Sequence, residues 1–205
     1  MHKSLNLLII AMLLGLAFSS SAGAAGDVER GKVLADTCLG CHGIPGYRNA
    51  YPSYRVPKLG GQHPEYLAIA LEGYRKHTRA HRTMQAQAAT LSDQDVQDLI
   101  AFFASEGELQ TGEPVTGGKV AAGKEKAAVC TACHGETGAS AAPNWPNLAG
   151  QHRDYLVHAL TAYQNGERKD PVMMGQAASL TSQDIEDIAA YFAAQPGLFT
   201  VHYSD

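Results

Sequence analysis

A five-residue pattern, C-x-x-C-H, occurs twice in this chain, at residues 38–42 and again at residues 130–134. Each copy holds two thiols three positions apart and a histidine directly after the second thiol. The pattern is typical of covalent attachment of a c-type haem, in which the thiols add to the vinyl groups and the histidine binds the iron. The predicted residues are Cys38, Cys41 and His42 in the first copy and Cys130, Cys133 and His134 in the second.

A C-x-x-C pair is also typical of half of a zinc site or of a redox-active thiol pair. Both alternatives remain open for one motif taken alone. The duplication, the histidine after each pair and the absence of any other cysteine among the 205 residues favour haem over both.

The first 24 residues have the pattern of a secretory signal peptide. Lys3 is positively charged, residues 7–18 are apolar and residues 19–24 are small, which predicts cleavage after Ala24, with Ala25 as the alternative. A retained anchor is the other interpretation, but this apolar run is shorter than the roughly 20 residues that a spanning helix needs.

No later segment is apolar enough to span a membrane, so we predict an exported mature chain without a spanning segment. A peripheral association with the membrane through partner proteins remains open. Because c-type haem is attached outside the cytoplasm, the leader and the motifs together predict a periplasmic protein. The 16 Lys and Arg against 20 Asp and Glu, without a long basic run, argue against nucleic acid as a partner.

The chain repeats itself on either side of a glycine-rich segment. The segment P-x-L-x-G-Q-H occurs at residues 57–63 and again at residues 146–152, each time after a cysteine motif. Each repeat is small for a self-sufficient core, so a haem is expected to fill part of it. The predicted organisation is a signal peptide at 1–24, a first domain at 25–105, a linker at 106–118 and a second domain at 119–205.

Helical spacing of apolar residues predicts three helices in each repeat. The first runs into the cysteine motif, from about Val28 or about Lys119, and the second follows the G-Q-H segment. The third begins after Ser92 or Thr181, each an N-cap residue followed by acidic residues. No alternating strand pattern occurs, so the predicted fold class is all-α.

A haem held by one histidine needs a second axial ligand. Outside the signal peptide the chain has only Met84, Met173 and Met174. Met84 and Met173 match in the repeat, each seven residues before the leucine that precedes the third helix. A thioether ligand stabilises ferrous iron, whereas methionine otherwise serves as core filler. We predict Met84 and Met173 as ligands, with Met174 as the alternative to Met173.

Four histidines compete with this interpretation. His77 and His81 lack a histidine counterpart in the second repeat and are predicted to be surface residues. His63 and His152 match each other after the Gly-Gln turn and are predicted to be structural, with a ligand role as the alternative. Trp145 is a candidate for packing against a haem or donating a hydrogen bond to it.

A basic stretch lies just before Met84. It has two interpretations beyond a solvated helix end: it pairs with haem propionates, or it docks an acidic partner on the first domain. Its members are Arg75, Lys76, Arg79 and Arg82.

With both motifs, both methionine positions and the repeat, the mature chain resembles dihaem class I cytochromes c of the cytochrome c4 family. The resemblance implies two tandem class I cytochrome c domains related by a pseudo-twofold axis, each with three or more helices around one covalent haem. It implies His42 and Met84 on one iron and His134 and Met173 on the other. It also implies haem edges close enough for internal electron transfer.

The resemblance further implies an electron carrier with no catalytic residues, which moves electrons from a quinol-oxidising complex or another donor towards a terminal oxidase or another acceptor. One alternative is the dihaem subunit of a flavocytochrome-type dehydrogenase, such as one that oxidises sulfide. The other is a dihaem peroxidase, which the two methionines in register argue against, because a peroxidase needs an open iron.

Overall fold

The computed structural model describes residues 26–105, 111–112 and 114–202. The predicted signal peptide, its cleavage site after Ala24 and residues 106–110 and 113 of the predicted linker lie outside the described residues. Within the described ranges the chain forms nine α-helices, one 3₁₀ turn and only isolated β-bridges. The predicted all-α class is therefore confirmed.

The first repeat contains four helices rather than three. The three predicted helices form, and an additional short helix carries Met84. Their bounds are α1 Val28–His42, α2 Pro64–Arg75, α3 Arg82–Ala89 and α4 Asp93–Ser105.

The second repeat follows the same order with a broken first helix. A 3₁₀ turn, Ala127–Val129, separates two short helices where the first repeat has one continuous helix. The additional short helix is again present and carries Met173. The bounds are α5 Val120–Lys126, α6 Thr131–His134, α7 Arg153–Gln164, α8 Pro171–Ala177 and α9 Ser182–Ala193.

The predicted caps of α4 and α9 are confirmed. The Ser92 hydroxyl accepts a hydrogen bond from the Asp95 amide at 3.1 Å, and the Asp95 carboxylate accepts one from the Ser92 amide at 2.8 Å. Thr181 and Asp184 form the same reciprocal pair. Each capping box satisfies two backbone donors and so fixes where the helix begins.

The first and last helices of each repeat cross at a glycine. Helix α1 packs against α4, and α5 packs against α9. A Cβ atom at Gly31 would overlap the carbonyl oxygen of Asp98, and one at Gly123 would overlap that of Asp187. The G-K pair ahead of each cysteine motif therefore allows the backbones to approach closely.

Each repeat has its own apolar core, but the chain's end belongs to the first one. Phe199 and Val201 are buried among residues of α1 and α4. The amides and carbonyls of Gly60 and Phe199 exchange two hydrogen bonds of 3.1 Å. The second repeat thus completes the core of the first, and the predicted domain boundaries remain a prediction.

The interface between the repeats is pseudo-symmetric. The Gln62 side chain donates to the Asn147 carbonyl at 3.0 Å, and Gln151, the counterpart of Gln62, donates to the Lys58 carbonyl at 3.0 Å. The Lys58 ammonium donates to the Gly150 carbonyl at 2.7 Å, and the Asn147 amide donates to the Gly61 carbonyl at 2.9 Å. Each contact recurs with the repeats exchanged, as a twofold axis requires, so the expected pseudo-twofold relation is confirmed.

Candidate haem-binding sites

One continuous cavity of about 740 Å³ extends through both repeats. Its apolar walls come from the cores on either side, including Leu99 and Phe192. Met174 is not among the lining residues and is 37% exposed. The other predicted attachment and ligand residues all line the cavity: Cys38, Cys41, His42, Met84, Cys130, Cys133, His134 and Met173.

The two motif histidines have the same environment. His42 ends α1 and His134 ends α6, and their Nδ1 atoms lie 2.8 Å and 2.9 Å from the carbonyl oxygens of Pro57 and Pro146. An imidazole that donates from Nδ1 keeps Nε2 free as a ligand. Burial lowers the pKa of both histidines, although the hydrogen bond opposes this, which favours the neutral ring that a metal requires.

The repeated P-x-L segment therefore has a specific role. Its proline carbonyl accepts the hydrogen bond that orients the proximal histidine. A proline fixes its own φ angle and has no N–H donor, but it keeps its carbonyl as an acceptor. The segment is visible in the sequence as a repeated motif, but its contact with the histidine can be seen only in the folded chain.

The two short helices bring the methionines to the cavity wall through their N-caps. The His81 Nδ1 atom accepts a hydrogen bond from the Met84 amide at 3.2 Å, and the Asp170 carboxylate accepts one from the Met173 amide at 2.9 Å. His77 is exposed, as predicted. The same prediction was wrong for His81, which is half-buried and lines the cavity because it caps α3.

Neither His63 nor His152 lines the cavity, which supports the structural role predicted from the sequence. They precede α2 and α7 at equivalent positions. The Nε2 atom of His63 lies 2.9 Å from the Ser140 carbonyl oxygen, across the interface between repeats. His152 is only 3% exposed. Trp145 lies at the edge of the cavity, 43% exposed.

The predicted basic stretch is not a continuous surface. Arg75 donates to Glu72, Asp93 and the Leu91 carbonyl at 2.9–3.1 Å. Lys76 pairs with the same Glu72 at 3.1 Å. Arg79 lines the cavity, whereas Arg82 is exposed. The hypothesis of a basic docking surface on the first domain is therefore not supported by this arrangement.

Each half of the cavity fits a covalently bound haem. Two half-buried thiols, an oriented imidazole and a thioether border one apolar space, which is the donor set of a c-type haem. Burial raises the pKa of Cys38 and Cys130. The interior also contains polar atoms without a protein partner, namely the buried Nε atoms of Arg79 and Arg168. A haem would add two carboxylates to this same space.

Comparison with known proteins agrees with this geometry. The family model for cytochrome c matches residues 28–106 and again residues 120–195. Cytochrome c4 of Pseudomonas aeruginosa is 34% identical over 202 residues, which cover 91% of this chain and 98% of the relative. A protein of Stutzerimonas stutzeri named thiosulfate dehydrogenase electron acceptor is 32% identical, covering 90% of this chain and 91% of the relative.

A solved structure shows the same fold. The structure of cytochrome c4 from Acidithiobacillus ferrooxidans is 29% identical and superimposes with a TM-score of 0.69, covering 78% of this chain and 99% of that one. Both repeats are therefore class I cytochrome c domains, and each carries one covalently bound haem c.

Proposed function

The chain belongs to the cytochrome c4 family of dihaem electron-transfer proteins, and from this premise we propose that it carries electrons in the periplasm from a quinol-oxidising complex towards a terminal oxidase. The observation that carries the proposal is the single cavity lined by two equivalent sets of haem-binding residues. A continuous cavity allows the two haems to exchange electrons inside one molecule.

In this proposal each motif holds one haem through two thioethers and one imidazole. The first haem would be held by Cys38 and Cys41, with His42 and Met84 as the iron ligands. The second would be held by Cys130 and Cys133, with His134 and Met173 as the iron ligands. Met173 is preferred to Met174 because it lines the cavity in the register of Met84, whereas Met174 is absent from the lining.

The haem iron supplies one-electron chemistry, cycling between the ferric and ferrous states. The protein residues hold both axial positions, exclude water with an apolar wall and keep each proximal imidazole oriented through Pro57 or Pro146. With a histidine and a methionine bound to each iron, no coordination position would remain for a substrate. This describes an electron carrier rather than an enzyme.

Partners are expected to dock where the cavity reaches the surface. On the second domain its edge carries Val129, Trp145 and Val172, which are 67%, 43% and 63% exposed. The equivalent residues of the first domain are Thr37, Val56 and Thr83. We propose the apolar edge of the second domain as the docking surface for a protein redox partner, because exposed apolar side chains gain most from burial in an interface.

A periplasmic location is proposed on the covalent haem chemistry and the leader pattern. No helix in the described part of the chain is long and apolar enough to cross a membrane. N-terminal sequencing of the exported protein is expected to begin at Ala25.

A second candidate function is to accept electrons from a dehydrogenase that oxidises a sulfur compound. It is favoured by the likeness to the protein named thiosulfate dehydrogenase electron acceptor. In this role the cavity and its ligands are the same, and only the electron donor differs. The flavocytochrome-subunit alternative would require stable association with a flavoprotein.

Reduction assays distinguish these donors. The oxidised holoprotein is mixed either with membranes and quinol or with a thiosulfate dehydrogenase and thiosulfate, and ferrous haem is followed optically. Fast reduction by quinol-fed membranes, followed by oxidation by oxidase-containing membranes, supports the respiratory carrier. Reduction only by the dehydrogenase would replace it with the second function, and co-purification with a flavoprotein would favour a dehydrogenase subunit.

A further inference from the structure

Two arginines lie inside the cavity where the repeats meet. Arg79 follows α2 and its counterpart Arg168 follows α7, and their backbones pair as an isolated antiparallel bridge. The bridge consists of two hydrogen bonds of 2.8 Å, from the Ala80 amide to the Glu167 carbonyl and from the Lys169 amide to the Thr78 carbonyl. The pseudo-twofold axis therefore places two guanidinium groups near each other at the centre of the molecule.

Each arginine is held mainly by aromatic rings. The Cζ atom of Arg79 lies 4.7 Å from the ring centre of Tyr74, and the Cζ atom of Arg168 lies 4.7 Å from the ring centre of Tyr163. Such contacts hold a guanidinium in place without neutralising its charge.

Each guanidinium also donates a hydrogen bond to a tyrosine of the other domain. Arg79 donates to the Tyr155 hydroxyl at 3.2 Å, and Arg168 donates to the Tyr66 hydroxyl at 3.3 Å. These are equivalent contacts with the repeats exchanged. Each domain therefore helps to orient the arginine of the other domain.

Neither guanidinium is neutralised by the protein. Among the described residues, no carboxylate forms an ion pair with Arg79 or Arg168, although Arg168 is only 7% exposed. Both Nε atoms are buried and unpartnered. Burial acts to raise the pKa of Tyr66, yet the two guanidinium groups outweigh it and lower that pKa overall. Buried unpaired cations are costly, so this positively charged space is suited to an anion.

The haem itself can supply that anion. Its thioether-linked edge carries the former vinyl groups, and the propionates extend from the opposite part of the ring. The cysteines border the cavity within their own domains, whereas the arginines line the part that both domains share. Charge-assisted hydrogen bonds from a guanidinium to a carboxylate are among the strongest in proteins.

We propose that Arg79 and Arg168 form one anion site, shared between the domains, that binds a propionate carboxylate from each haem. The proposal rests on the proposed function, because it requires a haem in each cleft. The two arginines act as positioning residues, and they link the haems electrostatically. A positive charge near both haems favours the ferrous state of both, so each arginine supports the reduction of its own haem and of the neighbouring one.

Redox titration of the arginine variants tests this link. R79Q and R168Q each remove one charge, and R82Q removes an exposed arginine from the same region as a matched control. In R79Q and R168Q we expect both haem reduction steps to fall, each by about tenfold in its equilibrium constant, which is 59 mV for a one-electron couple. R82Q is expected to change either step by less than twofold. A shift of only one step, or of neither, in R79Q would overturn the shared site.

Two further measurements distinguish the shared propionate site from a purely structural role and from a site for a free anion. R79K retains the charge and is expected to keep both steps within about twofold of the parent protein, and losses as large as in R79Q would indicate a structural role instead. Titration with added inorganic phosphate is expected to leave the parent's steps unchanged, and a phosphate-dependent shift would assign the arginines to a free anion. The number of haems per chain is measured in every sample. Fewer than two haems per parent chain would contradict the proposed function itself. Two haems per chain, together with variants whose reduction steps do not shift, would contradict only this inference.

Discussion

The two domains share their ligand positions but differ in the charges beside them. At the equivalent interface positions the first domain has the buried Lys58 and the second has Asn147. At the caps of the methionine helices the first has His81, whose pKa is lowered mainly by burial, and the second has the carboxylate of Asp170. The two repeats thus share one arrangement of helices and motifs but differ in the charges around it.

This difference predicts an order for the two potentials. Ferric haem carries one more positive charge than ferrous haem, so a nearby cation raises the reduction potential and a nearby carboxylate lowers it. We expect the first-domain haem, whose methionine helix has a neutral cap, to be reduced at the higher potential, because the cap of the other methionine helix is a carboxylate. Electrons entering at the second domain would then move to the first.

The largest expected effect tests the shared part of the framework, the methionine ligands. M173L is expected to lower the potential of the second haem by on the order of 0.2 V, because axial ligands set haem potentials over about 0.8 V. The ferrous haem of this variant should bind carbon monoxide. M84L should do the same to the first haem, as measured by optical redox titration and carbon monoxide difference spectra.

M174L is the matched control for M173L. Met174 is more than one-third exposed and lies outside the cavity lining, so this variant should behave like the parent protein. If M174L instead lost the second ligand while M173L did not, the register between the repeats would be incorrect at this position.

The next effect tests whether the domains are energetically independent. F199A should lower the free energy of unfolding by about 3–5 kcal/mol, as for other buried phenylalanines, and the loss should appear in the first domain. The reason is that Phe199 is packed in the core of α1 and α4. L198A, one residue earlier, removes a side chain that is 1% exposed, at a residue whose backbone amide donates to the Ala149 carbonyl of the second domain at 2.8 Å.

Denaturant unfolding with hydrogen exchange resolved by domain measures both variants. F199A is expected to lower the protection of amides in α1 and α4, and L198A is expected to lower the protection of the second domain first. Equal protection losses in both domains for each variant would mean that the molecule unfolds as one cooperative unit, and would remove this distinction.

The smallest effect tests the charge difference directly. K58N removes a cation at the interface between the repeats and should lower the haem potentials by at most about 60 mV, since an interior charge at an effective dielectric constant near 20 contributes about 1–2 kcal/mol. Asn147 makes the equivalent hydrogen bond in the second domain, so the asparagine is expected to keep the contact with Gly150. The reverse change, N147K, should raise the haem potentials.

D170N is the companion variant at the exposed cap. Asparagine is as good an N-cap as aspartate, so the helix that carries Met173 should be retained while the charge is lost. We expect a rise of less than about 30 mV in the second haem, because solvent screens this carboxylate. No movement of either potential in K58N and D170N would disprove the electrostatic origin of the potential order.

The repeat made most of the fold and the cavity predictable from the sequence. Adjacent cysteines and histidines identify a haem motif without tertiary information, and the repeat register selected Met84 and Met173 from the three methionines that follow the predicted signal peptide. Helix caps at Ser92 and Thr181 are local patterns that propensity and spacing can identify.

Other features depend on contacts between distant residues. The entry of Phe199 into the first core and the inward turn of Arg79 carry no local signal, because a basic stretch has the same composition whether it faces solvent or a cofactor. His81 was predicted incorrectly for the same reason, since its capping role depends on a short helix that has only 8 residues. The matching of Arg79 with Arg168 was the available clue that this arginine differs from its neighbours.

An optical redox titration of the exported holoprotein, followed by carbon monoxide addition to the reduced form, tests the central claim most directly. The account predicts two one-electron steps, both at positive potential, and two ferrous haems that do not bind carbon monoxide readily. A strongly negative step, or a haem that opens to carbon monoxide, would show that a methionine is not bound and would contradict the carrier with two histidine–methionine haems.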